Sequence, residues 1–127
     1  MNYRQLGKTG WKVSELGHGM WGMGSWTGSD DKESLNALQR SVELGVNFFD
    51  TAWIYGNGHS EQLLGKLLKQ YSNKRLYTAT KIPPKSVRYP MKPEYKLSEE
   101  YPSDHLTEYV KKSLKNLGLE KLDLVLL

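Results

Sequence analysis

Three polar side chains close or follow apolar runs in this sequence. Asp50 ends the run VNFFD, Tyr55 lies in the stretch DTAWIYGNG that follows it, and Lys81 ends LYTATK. Each has an ordinary role when taken alone: a turn cap, an amphipathic loop anchor, a solvated lysine at a strand end. Together they read differently. If the two runs are neighbouring parallel strands, Asp50 and Lys81 stand at the same end and their side chains can converge, with Tyr55 projecting from the loop between them. A phenol has a reference pKa of about 10, too high for an efficient proton donor near neutral pH, and a nearby ammonium favours the phenolate it leaves behind. A carboxylate paired with the lysine keeps that ammonium charged and oriented. Asp50, Lys81 and Tyr55 therefore suit a general-acid unit that protonates a developing alkoxide. The substrate this chemistry implies is a reducible carbonyl. With no flavin or metal motif in the sequence, a nicotinamide is the hydride source.

The elements that must hold these residues follow from hydrophobic periodicity. Tyr3 to Leu6 and Trp11 to Val13 read as a hairpin around the turn GKTG. LGHGM at 16–20 is strand-like. Leu35, Ala37, Leu38, Val42 and Leu44 recur at helical spacing across 30–44, with Asp30 or Asp31 to cap, Glu33 in the first turn and Gly45 at the C-terminal end. VNFFDT at 46–51 is a strand, 60–70 a helix with Ser60 as its cap, and RLYTATK at 75–81 a strand. The segment 82–102 holds all five prolines, Pro83, Pro84, Pro90, Pro93 and Pro102, and mixed charges such as Arg88 and Glu94. It reads as a long loop beside the candidate site, with the composition of a lid, a binding loop or a disordered stretch. Ser103 caps a helix that Gly118 ends, and LDLVLL at 122–127 is a fourth strand.

Strands that alternate with helices argue for a parallel sheet, either doubly wound or a (β/α)8 barrel. The opening hairpin, which looks like a plug for one end, favours the barrel. So does the gathering of polar residues at the C-terminal ends of strands. The six residues GHGMWG at 17–22 spell the G-x-G-x-x-G of a dinucleotide-binding turn, but that turn needs a helix to open at its third glycine. Here MGSWTGS follows Gly22, and no helix signal precedes Asp30. A glycine-rich loop in which Met20, Trp21 and Trp26 cover something flat or apolar is the reading adopted. A doubly wound binding domain without catalysis stands only if Asp50 and Lys81 are far apart.

The 127 residues, 38% hydrophobic and 25% charged, describe a globular chain of one domain, 1–127. A net charge of +4 without a long basic block argues against nucleic acid as a partner. The chain has no cysteine, which excludes thiolate chemistry and disulfides and points to the cytoplasm. No apolar run approaches membrane-spanning length, so no membrane is expected among its partners.

FFDTAWIYGNGHSE, TATK, LGLEKLDLVLL and the opening YRQLGKTGWKVSELGHGMW resemble the corresponding segments of the aldo-keto reductases over nearly the whole chain. The resemblance implies a (β/α)8 TIM barrel of which this chain holds the N-terminal hairpin and about the first four βα units. It implies NADPH-dependent reduction of aldehydes and ketones, with a small-molecule carbonyl substrate and no metal. It assigns Asp50, Tyr55 and Lys81 to the catalytic set, Tyr55 as proton donor. It places Gly19, Met20 and Trp21, with Asp50, near the nicotinamide, and Trp21 and Trp53 in the substrate pocket. The family's fourth catalytic residue is a histidine just after the fourth strand, and LDLVLL ends at Leu127, before that position. His18, His59 and His105 do not match its motif and read as local polar contacts.

A (β/α)8 barrel takes about 250 residues, so the expectation is the N-terminal half of a longer polypeptide, inactive without the other half. The alternative is a half-barrel completed by dimerisation. Asp123 is the one charge blunting the edge run LDLVLL. A second functional reading is a non-catalytic regulatory protein on the same scaffold, as in the potassium-channel β subunits that resemble this family.

Overall fold

Four parallel strands pair in their chain order, and that order decides the architecture. The computed structural model of the chain describes residues 1–25, 28–86 and 92–127; Trp26, Arg88 and Pro90 lie outside them. The hairpin comes first, with β1 (Tyr3–Gln5) antiparallel to β2 (Lys12–Ser14) and Arg4 opposite Val13. Then come β3 (His18–Gly19), α1 (Asp31–Glu43), β4 (Phe48–Asp50), α2 (His59–Gln70) and β5 (Tyr77–Lys81). A short α3 (Leu97–Glu100), α4 (Ser103–Leu117) and β6 (Leu124–Leu126) complete the chain. The sheet order is β3-β4-β5-β6, parallel throughout. A doubly wound sheet reverses its strand order at a switch point; this sheet does not. Right-handed crossovers then put α1, α2 and α4 on one face, where α2 packs against both α1 and α4. This is the hairpin and the first four strands of a (β/α)8 barrel.

The core lies between sheet and helices. Phe49 from β4, Leu38 and Val42 from α1, and Leu63, Leu64 and Leu67 from α2 are all buried there. Each such side chain contributes about 1.5–3 kcal/mol on removal from water, which is why short helices with weak intrinsic preference hold. Gly65 lets α2 approach α4 closely: a Cβ on it would stand 2.6 Å from the Asn116 carbonyl oxygen.

The helix ends follow the sequence signals in part. Asp30 caps α1 by accepting the Glu33 N–H at 2.9 Å. At the other end Gly45, at φ +95°, and Val46 donate to the Val42 and Ser41 carbonyls, closing the helix with a left-handed residue. Gly118 ends α4 in the same conformation.

Other expectations fail at their boundaries. Ser60 does not cap α2; Gly58 occupies that position, and the Ser60 hydroxyl is buried against Thr51 and the Met20 carbonyl. Pro102, not Ser103, precedes the first residue of α4. The strand expected over 16–20 shrinks to His18–Gly19, because a 3₁₀ turn begins at Trp21. The loop 82–102 is tied at its base: Lys85 N–H donates to the Glu100 carbonyl and Ser86 N–H to its carboxylate, both at 2.9 Å. Asp123 does not blunt the edge of β6. It turns to β5, accepting the Thr78 N–H at 3.0 Å and pairing with Arg75 at 2.5 Å.

Candidate active site

Strand register places the first two residues. Asp50 of β4 stands opposite Ala79 of β5, two residues before Lys81. Side chains alternate along a strand, so Asp50, Ala79 and Lys81 share the side away from the helices, while Phe49, Thr78 and Thr80 face the helices. The chain after β4 keeps pairing with β5: Thr51 N–H donates to the Ala79 carbonyl at 2.8 Å and Trp53 N–H to the Lys81 carbonyl at 3.2 Å.

Left-handed backbone then turns the chain back. Gly56, Asn57 and Gly58 have φ of +67°, +53° and +94°, and the Gly58 N–H donates to the Trp53 carbonyl. A side chain at Gly56 would put a Cβ 2.5 Å from the Gly24 carbonyl oxygen. Glycine is needed there both for the conformation and for the space. This tight return brings Tyr55 back over Lys81.

The Lys81 ammonium meets three oxygens. Its Nζ lies 2.5 Å from Asp50 Oδ1, 3.0 Å from the Thr51 carbonyl and 3.5 Å from the Tyr55 hydroxyl. An ammonium has three donors and no acceptor, so the carboxylate and the carbonyl fix it while the third direction faces the phenol. Asp50 and Lys81 are each about two-thirds buried, with side chains 37% and 33% exposed, which weakens screening of the pair by solvent and salt. The triad opens on a cavity of about 490 Å³ lined by Trp21, Ala52, Ile54, Tyr55, Lys81, Ile82 and Pro83. Its walls are apolar except for the phenol and the ammonium, the usual make-up of a small-molecule site.

The structure brings some of the sequence candidates together and not others. Tyr55, Lys81 and Trp21 meet at this cavity, with Asp50 bonded to the Lys81 ammonium but outside the cavity wall, and Trp21 is exposed. Gly19 pairs with Asp50 in the sheet, and the Met20 N–H donates to the Asp50 carbonyl at 2.9 Å. The Met20 side chain, however, is fully buried in the helix-side core, so only its backbone stands near the site. Trp53 turns to α4, edge-on to Tyr109 at 4.7 Å with Lys112 over its ring.

Each histidine makes a local bond: His18 to the Ser41 hydroxyl at 2.7 Å, His59 to Asp31 at 2.7 Å, His105 to the Pro83 carbonyl at 2.8 Å. Among the described residues no three His, Asp or Glu side chains gather as metal ligands, and no helix is long and apolar enough to cross a membrane.

Sequence reasoning missed Ile54, Ile82 and Pro83 as cavity walls. It also missed a buried polar layer on the helix side of the triad, Thr51, Ser60, Glu61 and Thr80, to which the half-buried Asn116 bonds. The readable signal for that layer was a carboxylate on the apolar stripe of α2, at Glu61 three residues before Leu64.

Residues 15–127 match the sequence model of the aldo/keto reductase family. The chain is similar to the aldo-keto reductase YhdN of Bacillus subtilis, 36% identical over 84 residues that make up 64% of this chain and 25% of that protein. It is 35% identical over 127 residues to a probable voltage-gated potassium channel subunit beta of Arabidopsis thaliana, covering 98% of this chain and 36% of that protein. Among solved structures, the holo form of the aldo-keto reductase AKR11C1 from Bacillus halodurans superposes with a TM-score of 0.79 at 32% identity, over 99% of this chain and 40% of that one. The chain thus spans 25 to 36% of the length of these curated relatives.

Proposed function

Because the chain belongs to the aldo/keto reductase family, we propose that its barrel is an NADPH-dependent reductase of aldehydes and ketones in which Tyr55 donates the proton. The observation that carries the reading is the 3.5 Å approach of Lys81 Nζ to the Tyr55 hydroxyl, with Asp50 holding the ammonium from behind. The proposal concerns the complete barrel, of which the domain 1–127 supplies these groups and not the whole activity.

The residues present fit a nicotinamide. The cavity offers a flat apolar wall in Trp21 and a polar end in Tyr55 and Lys81, with Asp50 bonded to the Lys81 ammonium. Asp50 and the Gly19–Met20–Trp21 turn would hold the cofactor, Met20 through its backbone. When bound, a nicotinamide supplies the hydride.

The chain's own residues supply the rest. The Tyr55 hydroxyl hydrogen-bonds the carbonyl oxygen of the substrate and gives it a proton as negative charge develops there. The Lys81 ammonium stabilises the phenolate left on Tyr55 until solvent reprotonates it. Asp50 and the Thr51 carbonyl keep the ammonium in place throughout. Ile54, Ile82 and Pro83 exclude water, which strengthens these interactions. The substrate is a small carbonyl compound with an apolar or flat body, in keeping with Trp21. The cysteine-free composition suits a reducing, cytoplasmic setting.

Tyr55→Phe in the complete protein tests this. Reduction of a test aldehyde is expected to be lost while NADPH binding, read by fluorescence, is kept. Unchanged turnover would overturn the proton-donor role.

A second reading rests on the similarity to a potassium channel subunit beta across 98% of the chain: a regulatory protein on the same scaffold. Robust turnover by the wild-type protein favours the enzyme; cofactor binding without turnover favours the regulator.

A further inference from the structure

We propose that Glu61 is a positioning residue that sets the spacing between the Tyr55 hydroxyl and the Lys81 ammonium, acting from the helix side of the sheet. The inference rests on the proton-donor reading above.

Glu61 is fully buried. Glutamate is almost never so placed unless paired, and a buried carboxylate is costly unless its oxygens are hydrogen-bonded. Both oxygens are engaged by neutral donors. Oε1 accepts from the Thr80 hydroxyl at 2.7 Å and Oε2 from the Asn116 side-chain amide at 2.8 Å. The position in the first turn of α2 adds the favourable field of a helix N-terminus.

These two bonds reach the two segments that carry the proton-transfer pair. Thr80 immediately precedes Lys81, on the opposite face of β5. Holding the Thr80 side chain fixes the height and roll of the strand end, and so the point from which the Lys81 stem leaves. Asn116 presses on the other segment. A Cβ on Gly58 would stand 2.4 Å from the Asn116 Nδ2, so that amide is wedged against the residue that closes the Tyr55 loop and opens α2. One carboxylate thereby ties the strand of Lys81 to the loop of Tyr55.

The neighbouring Ser60 braces the same junction. Its hydroxyl bonds Thr51 Oγ1 at 2.9 Å and the Met20 carbonyl at 3.2 Å, and the Thr51 carbonyl is itself an acceptor for Lys81. Packing alone does not call for a carboxylate here. Leu64 and Leu67 fill the same helix face, and a hydrophobic side chain of similar size avoids the desolvation cost. What an apolar residue does not supply is two directional bonds to two different segments.

The test uses the complete protein. Glu61→Gln keeps the shape but removes the charge and one of the two acceptors, so either the Thr80 hydroxyl or the Asn116 amide must reverse its role or turn away. Adding Asn116→Asp restores a donor–acceptor pair. Glu61→Gln is expected to lower kcat per folded molecule by roughly tenfold to a hundredfold, with the aldehyde KM within about twofold, and to move the alkaline limb of the pH–kcat profile. Glu61→Gln/Asn116→Asp is expected to recover most of the loss. Thr80→Val, which cuts only the strand arm, should move kcat in the same direction and guards against a Glu61 variant that fails to fold.

A merely structural role predicts a lower melting temperature, with kcat per folded molecule and the pH profile as in wild type; that result overturns the proposal. If the wild-type protein shows no turnover, the proton-donor reading fails by itself. Isotope-labelled Tyr55 Cζ and Lys81 Nζ resonances then decide the positioning claim. Both shifting in Glu61→Gln sustains it, and both unchanged overturns it.

Discussion

Asp50 and Lys81 close an ion pair of 2.5 Å between neighbouring parallel strands, at the end where the strands meet the loops. The pair has a direction. The ammonium donates one N–H to Asp50 and another to the Thr51 carbonyl at 3.0 Å, and the third faces Tyr55. Lys81→Met is therefore expected to lower kcat by on the order of a hundredfold or more, because the phenolate loses its counter-charge. Asp50→Asn keeps an oxygen for the ammonium and should cost less, about tenfold. Steady-state kinetics of the complete protein on one aldehyde rank the two. Equal losses would mean that Asp50 does more than orient Lys81.

Trp21 forms an exposed wall of the cavity, 59% accessible to solvent. Trp21→Ala is expected to raise the KM for an aromatic aldehyde by about tenfold, the usual effect of one apolar pocket contact, with a smaller change in kcat. The melting temperature should fall only slightly, since more than half of the residue's surface is exposed. A fall in kcat at constant KM would instead place Trp21 in the transition state.

Gly56 carries a structural demand that two numbers define. Its φ is +67°, and a Cβ there would come within 2.5 Å of the Gly24 carbonyl oxygen, a backbone atom that does not rotate away. Gly56→Ala is expected to cost about 1–3 kcal/mol of stability, measured by urea denaturation. It should also lower kcat, because the loop that returns Tyr55 to Lys81 must open. Wild-type stability would mean that the loop rearranges freely.

The same residues show what the sequence made legible. The strand–helix alternation and the positions of Asp50 and Lys81 could be read because they obey strong local rules: apolar runs of strand length, a polar residue at each end, helices between. The resemblance places Trp53 in the substrate pocket, but its own residues do not fix its direction, since an aromatic side chain in a loop can face either way. Its direction is set by Tyr109, far along the chain. Met20 precedes Trp21, yet the two side chains part, one into the core and one to the cavity, because a 3₁₀ turn begins between them. Ser60 had the residue type of a cap, but its hydroxyl serves Thr51 and Met20 instead. Glycine in a left-handed conformation at position 58 leaves a cap signal too weak to read. Glu61 was readable only as an anomaly, and its partners lie on another strand and another helix.

His18 gives the fold a pH dependence of known sign. Its ring is half-buried, stacked on Phe49 at 6.0 Å with Nδ1 bonded to the Ser41 hydroxyl, and burial holds its pKa below the ordinary 6.5. The unfolded chain therefore binds a proton at a higher pH than the folded chain does. Between the two values the unfolded state holds more protons, so stability rises with pH through that window. Above about pH 6.5 both states are neutral at this ring and the contribution is flat. Below it, stability is lost progressively until the folded ring also charges. His18→Gln keeps a hydrogen-bonding group for Ser41 and does not titrate. Urea midpoints of wild type and variant at about pH 8 and about pH 5 isolate the effect, because every other side chain is common to the two proteins. Wild type should lose more stability than the variant on acidification. Equal losses would mean that charging His18 costs the fold nothing, and that its ring reaches water without breaking the contact with Phe49.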